Sequence, residues 1–499
     1  MGTVARQASW ITVLTVAGMG LGFVNMAWLY PKFLTADEFG LTRLLVSIAV
    51  VAAQVAHLGG ENTAIRYFPY FRGRGHDHRG LFGLILSVAT VGGLASLAVL
   101  VLLHDRFVAW INDGSGLYAR YGLWVLPLVM AEVWLLVLRG FSRSVGRSIG
   151  PVLAREFLLR VLQTALILAY AVLGLGFLLF LQLYIATFLL TTGVVLWDLW
   201  RSGELRLGLG RMRIGRRTRL GMLRYSLFTL ASSVAAIAVG NIDQVMVGAM
   251  LPEGLSHVAY YAVALFMASV VMVPARALLQ PVIPVMAQAW KERDHAKLQM
   301  LYQRTAIIQL VAAAFILLGL WVNADSLFSF LDPAYAVGIP VMLVLGVTNV
   351  LNLATGLSAG LVITSRGYWF DAVSGALLLV LNVVLDYFFI LWWGLIGAAW
   401  SSFVSVVVVV GWRVIFLQRR FGLWPFNVIT LRAAIMVLAV AAVFGFLPHA
   451  GPPVVDIAWR SALLALVYGT SVHLLGLAPD LGHQAAKLAR GLLPYRSKG

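Results

Sequence analysis

Eight ionisable side chains interrupt long apolar runs of this chain: Arg66, Arg160, Arg224 and Arg276 on the basic side, Glu61, Glu132, Asp243 and Asp386 on the acidic side. A charge at the centre of a bilayer costs at least about 2.5–3.5 kcal/mol on insertion scales, so each such group is a functional candidate by default. A guanidinium presents a planar fork of donors that grips phosphate oxygens bidentately, which an ammonium does less well. A buried carboxylate can take up a proton or Na+ and so tie a transport step to an ion gradient. Catalysis has no comparable support. Histidines 57, 76, 78, 104, 257, 295, 449, 473 and 483 show no paired metal-ligand spacing, cysteine is missing, and neither a phosphate loop nor a G-x-S-x-G elbow occurs. The expectation is a non-enzyme with no catalytic residues, no metal site, no cofactor and no nucleotide hydrolysis, using at most H+ or Na+ as a coupling ion.

Each candidate has two readings. If its span enters the cytoplasm near Trp290, Arg276 lies roughly 20 Å deep; it either grips a phosphate group or pairs with a carboxylate such as Glu132. Arg160 follows Glu156 by four residues, a spacing that puts both on one helix face as a local ion pair, with direct phosphate contact as the alternative. Arg66 and Arg224 lie nearer the cytoplasmic rim, where they either snorkel to water or form an entry funnel for an anionic head group. Glu61 follows Gly59-Gly60, a pair that weakens a helix and permits close backbone approach. Asp243 follows Asn241 near the outer end of its span and reads either as an ion-coupling group or as a capping or interlobe hydrogen-bond acceptor. Glu132 sits mid-span and is hard to explain as solvated.

The elements that hold these residues are set by composition. Of 499 residues, 61% are hydrophobic and 11% charged, and mean hydropathy is +0.90. Soluble domains are about 45–50% apolar and about 25% charged, so this chain is built for lipid and a cytosolic enzyme is excluded. A hydrocarbon core of about 30 Å takes about 20 residues of helix, and only helices satisfy their backbone within a lone span. About fourteen such segments are predicted, at roughly 8–30, 40–60, 81–103, 121–139, 152–174, 176–198, 222–249, 257–287, 303–323, 337–363, 369–391, 394–416, 429–447 and 457–477. The first follows Arg6 like a signal peptide but is too long and lacks an A-x-A site, so it reads as an uncleaved span. The net charge of +17 would suggest a nucleic-acid partner in a soluble protein; here no nucleic acid is expected. Alternate loops carry it, at Arg66–Arg79, Arg139–Arg147, Arg201–Arg219, Lys291–Lys297, Arg366, Arg413–Arg420 and Lys487–Lys498, whereas the opposite loops offer Lys32, Arg106, Arg120 and Arg460. That bias, about sixfold, places both termini in the cytoplasm. Trp10, Tyr30, Trp110, Trp290, Trp321, Trp392 and Trp393 fall near span ends as an interfacial belt.

Two lobes begin alike. Asn25-Met-Ala-Trp-Leu-Tyr runs into Phe33-Leu-Thr-Ala-Asp-Glu-Phe-Gly, an apolar span and a basic loop; Asn241-Ile-Asp-Gln-Val-Met runs into Met250-Leu-Pro-Glu-Gly, an apolar span and a second basic loop. Copies separated by an even number of spans share orientation, as in transporters that bind substrate between halves. The expected organisation is an N-terminal lobe over 1–200 (spans one to six), a basic cytoplasmic linker over 201–220, a C-terminal lobe over 221–420 (spans seven to twelve), and an extra pair of spans with a cytoplasmic tail over 421–499.

Phe33-Leu-Thr-Ala-Asp-Glu-Phe-Gly40 with Leu58-Gly-Gly-Glu-Asn-Thr-Ala-Ile-Arg-Tyr-Phe-Pro69 resembles the first two spans of bacterial polysaccharide (Wzx-like) flippases of the MOP superfamily. Asn241–Gly248 and Pro281-Val-Ile-Pro-Val-Met-Ala-Gln288 resemble the start of that family's second lobe, and Leu381-Asn-Val-Val-Leu-Asp386 followed by Gly394-Leu-Ile-Gly-Ala-Ala-Trp-Ser401 resembles its "N-x-x-L-N … G-x-x-G-A-A" signature. The likeness covers roughly residues 8 to 417. Asp386 stands where the family more often has Asn, and Trp392-Trp393 replaces the usual Pro before the Gly, which is expected to loosen the turn. The resemblance implies an all-α polytopic fold of two pseudo-symmetric, MATE-like lobes around a central cavity in the bacterial cytoplasmic (inner) membrane. It also implies a cargo, an oligosaccharide on undecaprenyl pyrophosphate moved to the periplasmic leaflet, and as partners that lipid, the surrounding membrane lipids, a glycan polymerase and other polysaccharide-assembly proteins. Two other functions stand beside it: a MATE-like cation-coupled exporter of small amphiphiles, which would want an acidic cavity, and a membrane-embedded glycan polymerase, ligase or glycosyltransferase, which would want a larger outward loop.

Overall fold

The computed structural model describes residues 2–72, 80–111, 114–205, 215–448 and 450–477; the side chains of residues 2–12, 231, 232, 235, 236, 238 and 276–281 lie outside that description. Among the described residues every regular element is helical. Twelve helices are long and apolar enough to cross a membrane. They are α1 (Val13–Phe33), α2 (Ala36–Phe71), α3 (Leu81–Leu102), α4 (Leu117–Ser144), α5 (Ile149–Leu173), α6 (Phe177–Arg201), α8 (Gly254–Ala275), α9 (His295–Val322), α10 (Pro333–Ala354), α11 (Trp369–Trp393), α12 (Leu395–Phe421) and α13 (Val428–Gly445). Helices also stand at the two remaining places expected from the sequence: α7 (Arg216–Met250) and α14 (Pro453–Leu474).

The chain divides into two compact units, one of Met1–Phe266 with Gly375–Ser402, the other of Met267–Ser374 with Phe403–Gly499. In the first, α2 is the centre, packed on α3, α4 and α7. It starts at a capping box: Thr35 Oγ1 accepts from Glu38 N (3.2 Å) while a Glu38 carboxylate oxygen accepts from Thr35 N (3.0 Å), and Asp37 and Glu38 face the positive helix start. Residues His57–Gly59 then break α2, with Leu58 at φ 47° and Gly59 at φ 71°. The Leu58 carbonyl freed by the break accepts from Ser226 Oγ of α7. A Cβ on Gly59 would lie 2.4 Å from the Ser226 carbonyl oxygen, so only glycine lets α7 approach there. Among the described residues π turns occur at Asn25–Leu29 in α1 and Leu153–Leu158 in α5.

In the second unit, α8 passes through a 3-10 turn (Val270–Met272) and the chain continues directly as helix Val273–Glu292 with Pro274 in its first turn, so the segment expected as one span over 257–287 is helical with a 3-10 turn inside it. α9 is N-capped by Asp294, which accepts from Lys297 N at 2.9 Å. Met286, Leu298, Tyr302, Leu361, Phe370 and Leu417 form a buried core, with the Phe370 and Phe416 rings stacked at 4.0 Å. At the start of α14 Arg460, 3% exposed, donates to the carbonyls of Val322 (2.7 Å) and Leu447 (2.8 Å) and pairs with Asp456 at 3.1 Å. The turn that Trp392-Trp393 was expected to loosen is tight: Gly394 alone, at φ 63°, joins α11 to α12, because a left-handed glycine reverses the chain without help from proline.

Candidate functional site

Asp243 sits in α7 and Asp386 in α11, each seven residues before its helix end, roughly 10 Å inside. Both are 0% exposed, and the first unit places their carboxyl groups side by side. Asp243 Oδ2 accepts from Tyr261 Oη of α8 (2.6 Å) and from Ser402 Oγ of α12 (2.9 Å). Asn382 lies four residues before Asp386, hence on the same helix face, and its Nδ2 reaches Ser401 Oγ (3.4 Å) and Ser402 Oγ (3.3 Å). Ser401 Oγ donates in turn to the Asn382 carbonyl at 3.0 Å. Tyr261 and Ser402 are thus spent on Asp243 Oδ2, and Asn382 and Ser401 within the serine–asparagine chain. Among the described residues Asp243 Oδ1, both carboxylate oxygens of Asp386 and Asn382 Oδ1 are buried acceptors with no donor. Such an excess of acceptors in an apolar surround is costly without a positive charge beside it.

The other acidic candidates have basic partners already. Glu61 receives a bidentate fork from Arg139 (Nε 2.9 Å, Nη2 2.7 Å) and a third bond from Arg143 Nη1 at 3.1 Å. Close packing makes this possible: a Cβ on Gly140 would lie 2.7 Å from the Glu61 backbone. Glu132 pairs with Arg155 Nη1 at 2.6 Å. Arg139, Arg143 and Arg155 were read from the sequence as loop or rim charges or passed over; the structure makes them the counter-ions of intramembrane carboxylates.

Among the basic candidates, Arg160 does not form the expected i,i+4 pair with Glu156. The π turn Leu153–Leu158 contains Glu156 and adds a residue to that turn, so the four-residue spacing no longer aligns the two side chains. Among the described residues no carboxylate lies within ion-pair distance of the Arg160 guanidinium. Arg66 is exposed and stacks over the Tyr225 ring at 4.2 Å, next in sequence to exposed Arg224, so these two meet at one place where α2 faces α7. Arg276 lies in the helix Val273–Glu292, but its side chain falls outside the described residues. The first unit also carries two apolar grooves, of about 780 Å³ between α2 and α3 and about 770 Å³ between α5 and α6; neither touches the carboxyl pair.

Tyr261, Asn382 and Ser402 escaped the sequence reading. The four-residue Asn382–Asp386 spacing was the available signal for one of them; nothing local announces the hydroxyls, which arrive from other helices.

No protein-family model and no curated protein sequence matches this chain. Solved structures do. An inward-facing multidrug-resistance MATE family transporter of the MOP superfamily superposes with a TM-score of 0.64 at 17% identity, covering 82% of this chain and 94% of its own. The lipid II flippase MurJ, in an inward closed conformation, superposes with a TM-score of 0.68 at 11% identity over 94% and 99% of the two chains. A Vibrio cholerae MATE transporter, VcmN, gives 0.55 at 13% identity over 84% and 98%. At these identities what is shared is the fold: the chain has the all-helical membrane architecture seen in MATE transporters and in MurJ.

Proposed function

We propose that this chain is an ion-coupled flippase that moves an oligosaccharide on undecaprenyl pyrophosphate from the cytoplasmic to the periplasmic leaflet of a bacterial inner membrane by alternating access, with both termini cytoplasmic. The observation that carries the coupled-transport reading is the pair Asp243–Asp386: two buried carboxyl groups and the Asn382 amide oxygen, with acceptors in excess of donors. A proton or Na+ bound there would supply the missing positive charge. Its passage down 100 mV yields about 2.3 kcal/mol per charge, enough to bias a two-state equilibrium nearly fiftyfold. Glu61 and Glu132, neutralised by arginines, are the weaker coupling candidates. On the cargo side Arg276 and Arg160 would grip the pyrophosphate, with Arg66 and Arg224 as the entry funnel. The lipid II flippase among the structural neighbours supports a lipid-linked cargo, and basic groups at depth favour an anion over the cations a MATE-like exporter would take. A glycan polymerase acting on the delivered lipid is the partner this reading implies.

The test is translocation of a lipid-linked oligosaccharide in proteoliposomes under imposed proton or Na+ gradients. Wild type should respond to one of the two; Arg276→Ala should abolish movement and Arg276→Lys should retain part of it, since charge remains and the fork does not. Full translocation by Arg276→Ala removes Arg276 from the cargo site, and indifference to both gradients removes the coupling.

A further inference from the structure

We propose that Arg43, Arg160 and Tyr30 form a binding site for a phosphoryl anion inside the first unit, where the π turn of α1 faces the stretch of α5 that follows its own π turn. Arg43 was not among the candidates read from the sequence. It lies seven residues inside α2, and Arg160 eleven residues inside α5, roughly 10 and 16 Å from the respective helix starts and well within hydrocarbon. Arg43 lies four residues after Phe39, the residue stacked on Tyr30, and so on the same face of α2, and the two guanidinium groups are electrostatic neighbours of each other and of Tyr30.

Among the described residues no carboxylate balances their charge. Of the neighbouring arginines Arg155 has Glu132 as its counter-ion. Glu156, the remaining carboxylate nearby, is turned out of ion-pair reach of Arg160 by the π turn. Among the described residues no hydrogen bond or ion pair reaches the guanidinium of Arg43 or of Arg160, and Arg43 Nε is buried with no partner. Tyr30 is 2% exposed, its ring stacked on Phe39 (5.4 Å) and set edge-on to Tyr184 (6.3 Å), and its hydroxyl also lacks a partner. Two free forks and a free phenol are what a tetrahedral anion with several acceptor oxygens requires; a single carboxylate would use one fork only.

The place is built rather than accidental. Asn25, fully buried at the start of the α1 π turn, donates from Nδ2 to the Arg160 carbonyl (3.2 Å) and accepts from Thr164 Oγ1 (2.8 Å). This ties α1 to α5 through the backbone and leaves the Arg160 fork unengaged. A Cβ on Gly22, one turn earlier in α1, would lie 3.5 Å from Arg160 Nε, an ordinary contact distance that puts the guanidinium against α1. π turns are rare and are found frequently at functional sites. For the identity of the ligand this inference rests on the transport reading, under which the anion is the pyrophosphate of the cargo. The same chemistry is offered by free pyrophosphate and by anionic bilayer lipids.

The experiment separates those sources. The purified full chain in phosphatidylcholine nanodiscs is titrated with inorganic pyrophosphate and with a polyprenyl pyrophosphate, and bound ligand is counted by native mass spectrometry; phosphatidylglycerol is then added as competitor. Wild type should bind both probes, Arg43→Gln and Arg160→Gln should weaken them tenfold or more, Tyr30→Phe should weaken them severalfold, and Arg43→Lys should fall between. Arg147→Gln is the control, since Arg147 is engaged by Asp198 at 2.6 Å away from this place. Displacement by phosphatidylglycerol assigns the site to bulk lipid head groups, and resistance to it assigns the site to the pyrophosphate. Wild-type affinity in both glutamine variants, or no binding of either probe by wild type, overturns the proposal. Loss of translocation with Arg43-dependent binding intact would count against the transport reading alone.

Discussion

Replacing Asp386 with Asn tests the buried carboxyl pair most directly. The amide has nearly the shape of the acid, so packing against Asn382 and Ser401 is kept while one negative charge goes. Two unit charges about 4 Å apart interact by about 4 kcal/mol at an effective dielectric constant of about 20. Removing one of the two carboxylates from a bound monovalent cation therefore costs on the order of 4 kcal/mol, close to a thousandfold in affinity. The sign reverses without the cation. Asp243 Oδ1 and both Asp386 oxygens lack donors in wild type, and the new amide can donate to its neighbour, so the variant should be the more stable protein in cation-poor, alkaline buffer. The assay is thermal unfolding in detergent across a Na+ series at fixed pH and a pH series at fixed Na+. A ligand that binds only the folded state at one hundred times its dissociation constant adds about 2.7 kcal/mol. Wild type should gain stability with Na+ or with falling pH, and Asp386→Asn should start higher and stay flat. A variant that keeps the wild-type response to both cations would show that the pair does not hold the coupling ion.

Two further outcomes follow from single contacts. Gly59→Ala places a Cβ 2.4 Å from the Ser226 carbonyl oxygen at φ 71°, so it should cost at least about 1–2 kcal/mol from the left-handed backbone alone, read as a lowered unfolding temperature; an unchanged one would mean that α2 and α7 are not held together at the break. Arg460→Met removes the counter-ion of buried Asp456, whose carboxylate keeps its bonds from Ser326, Ala450 and Trp459, and should cost about 3–5 kcal/mol, with Arg460→Met/Asp456→Asn recovering part of it in the same melt; equal stability of single and double variants would show that the charge pair is not what closes α9 on α14.

Much of the fold was legible because bilayer thickness fixes helix length, and apolar runs of about 20 residues mark themselves. Asp243 and Asp386 were legible for the same reason, as charges that have no business in such runs. Their convergence was not, since Tyr261, Asn382 and Ser402 come from three helices and no local pattern records which faces meet. Arg43 was missed through a boundary. The second span was expected to start at 40, which puts Arg43 at the rim, whereas Thr35-Ala-Asp-Glu38 is a capping-box pattern that starts the helix at Ala36 and carries Arg43 two turns in. The Arg160–Glu156 pairing failed because a π turn changes the period on which i,i+4 reasoning rests.

The helix α7 joins the two features that depend most on tertiary contact. Near one end it presents Asp243 to Tyr261, Ser402 and Asp386; seventeen residues earlier, roughly 25 Å away, Ser226 engages the broken segment of α2 through the Leu58 carbonyl and accepts from Thr63 Oγ1 at 3.2 Å. At the α2 break a main-chain carbonyl is claimed by another helix, and the break is held by a non-glycine residue with positive φ, Leu58, a conformation disfavoured by about 1–2 kcal/mol. That strain persists only while the surrounding contacts hold it. A cation at Asp243 and the docking of α2 thus bear on one continuous helix, and a shift of α7 along its axis that improves one contact must alter the other.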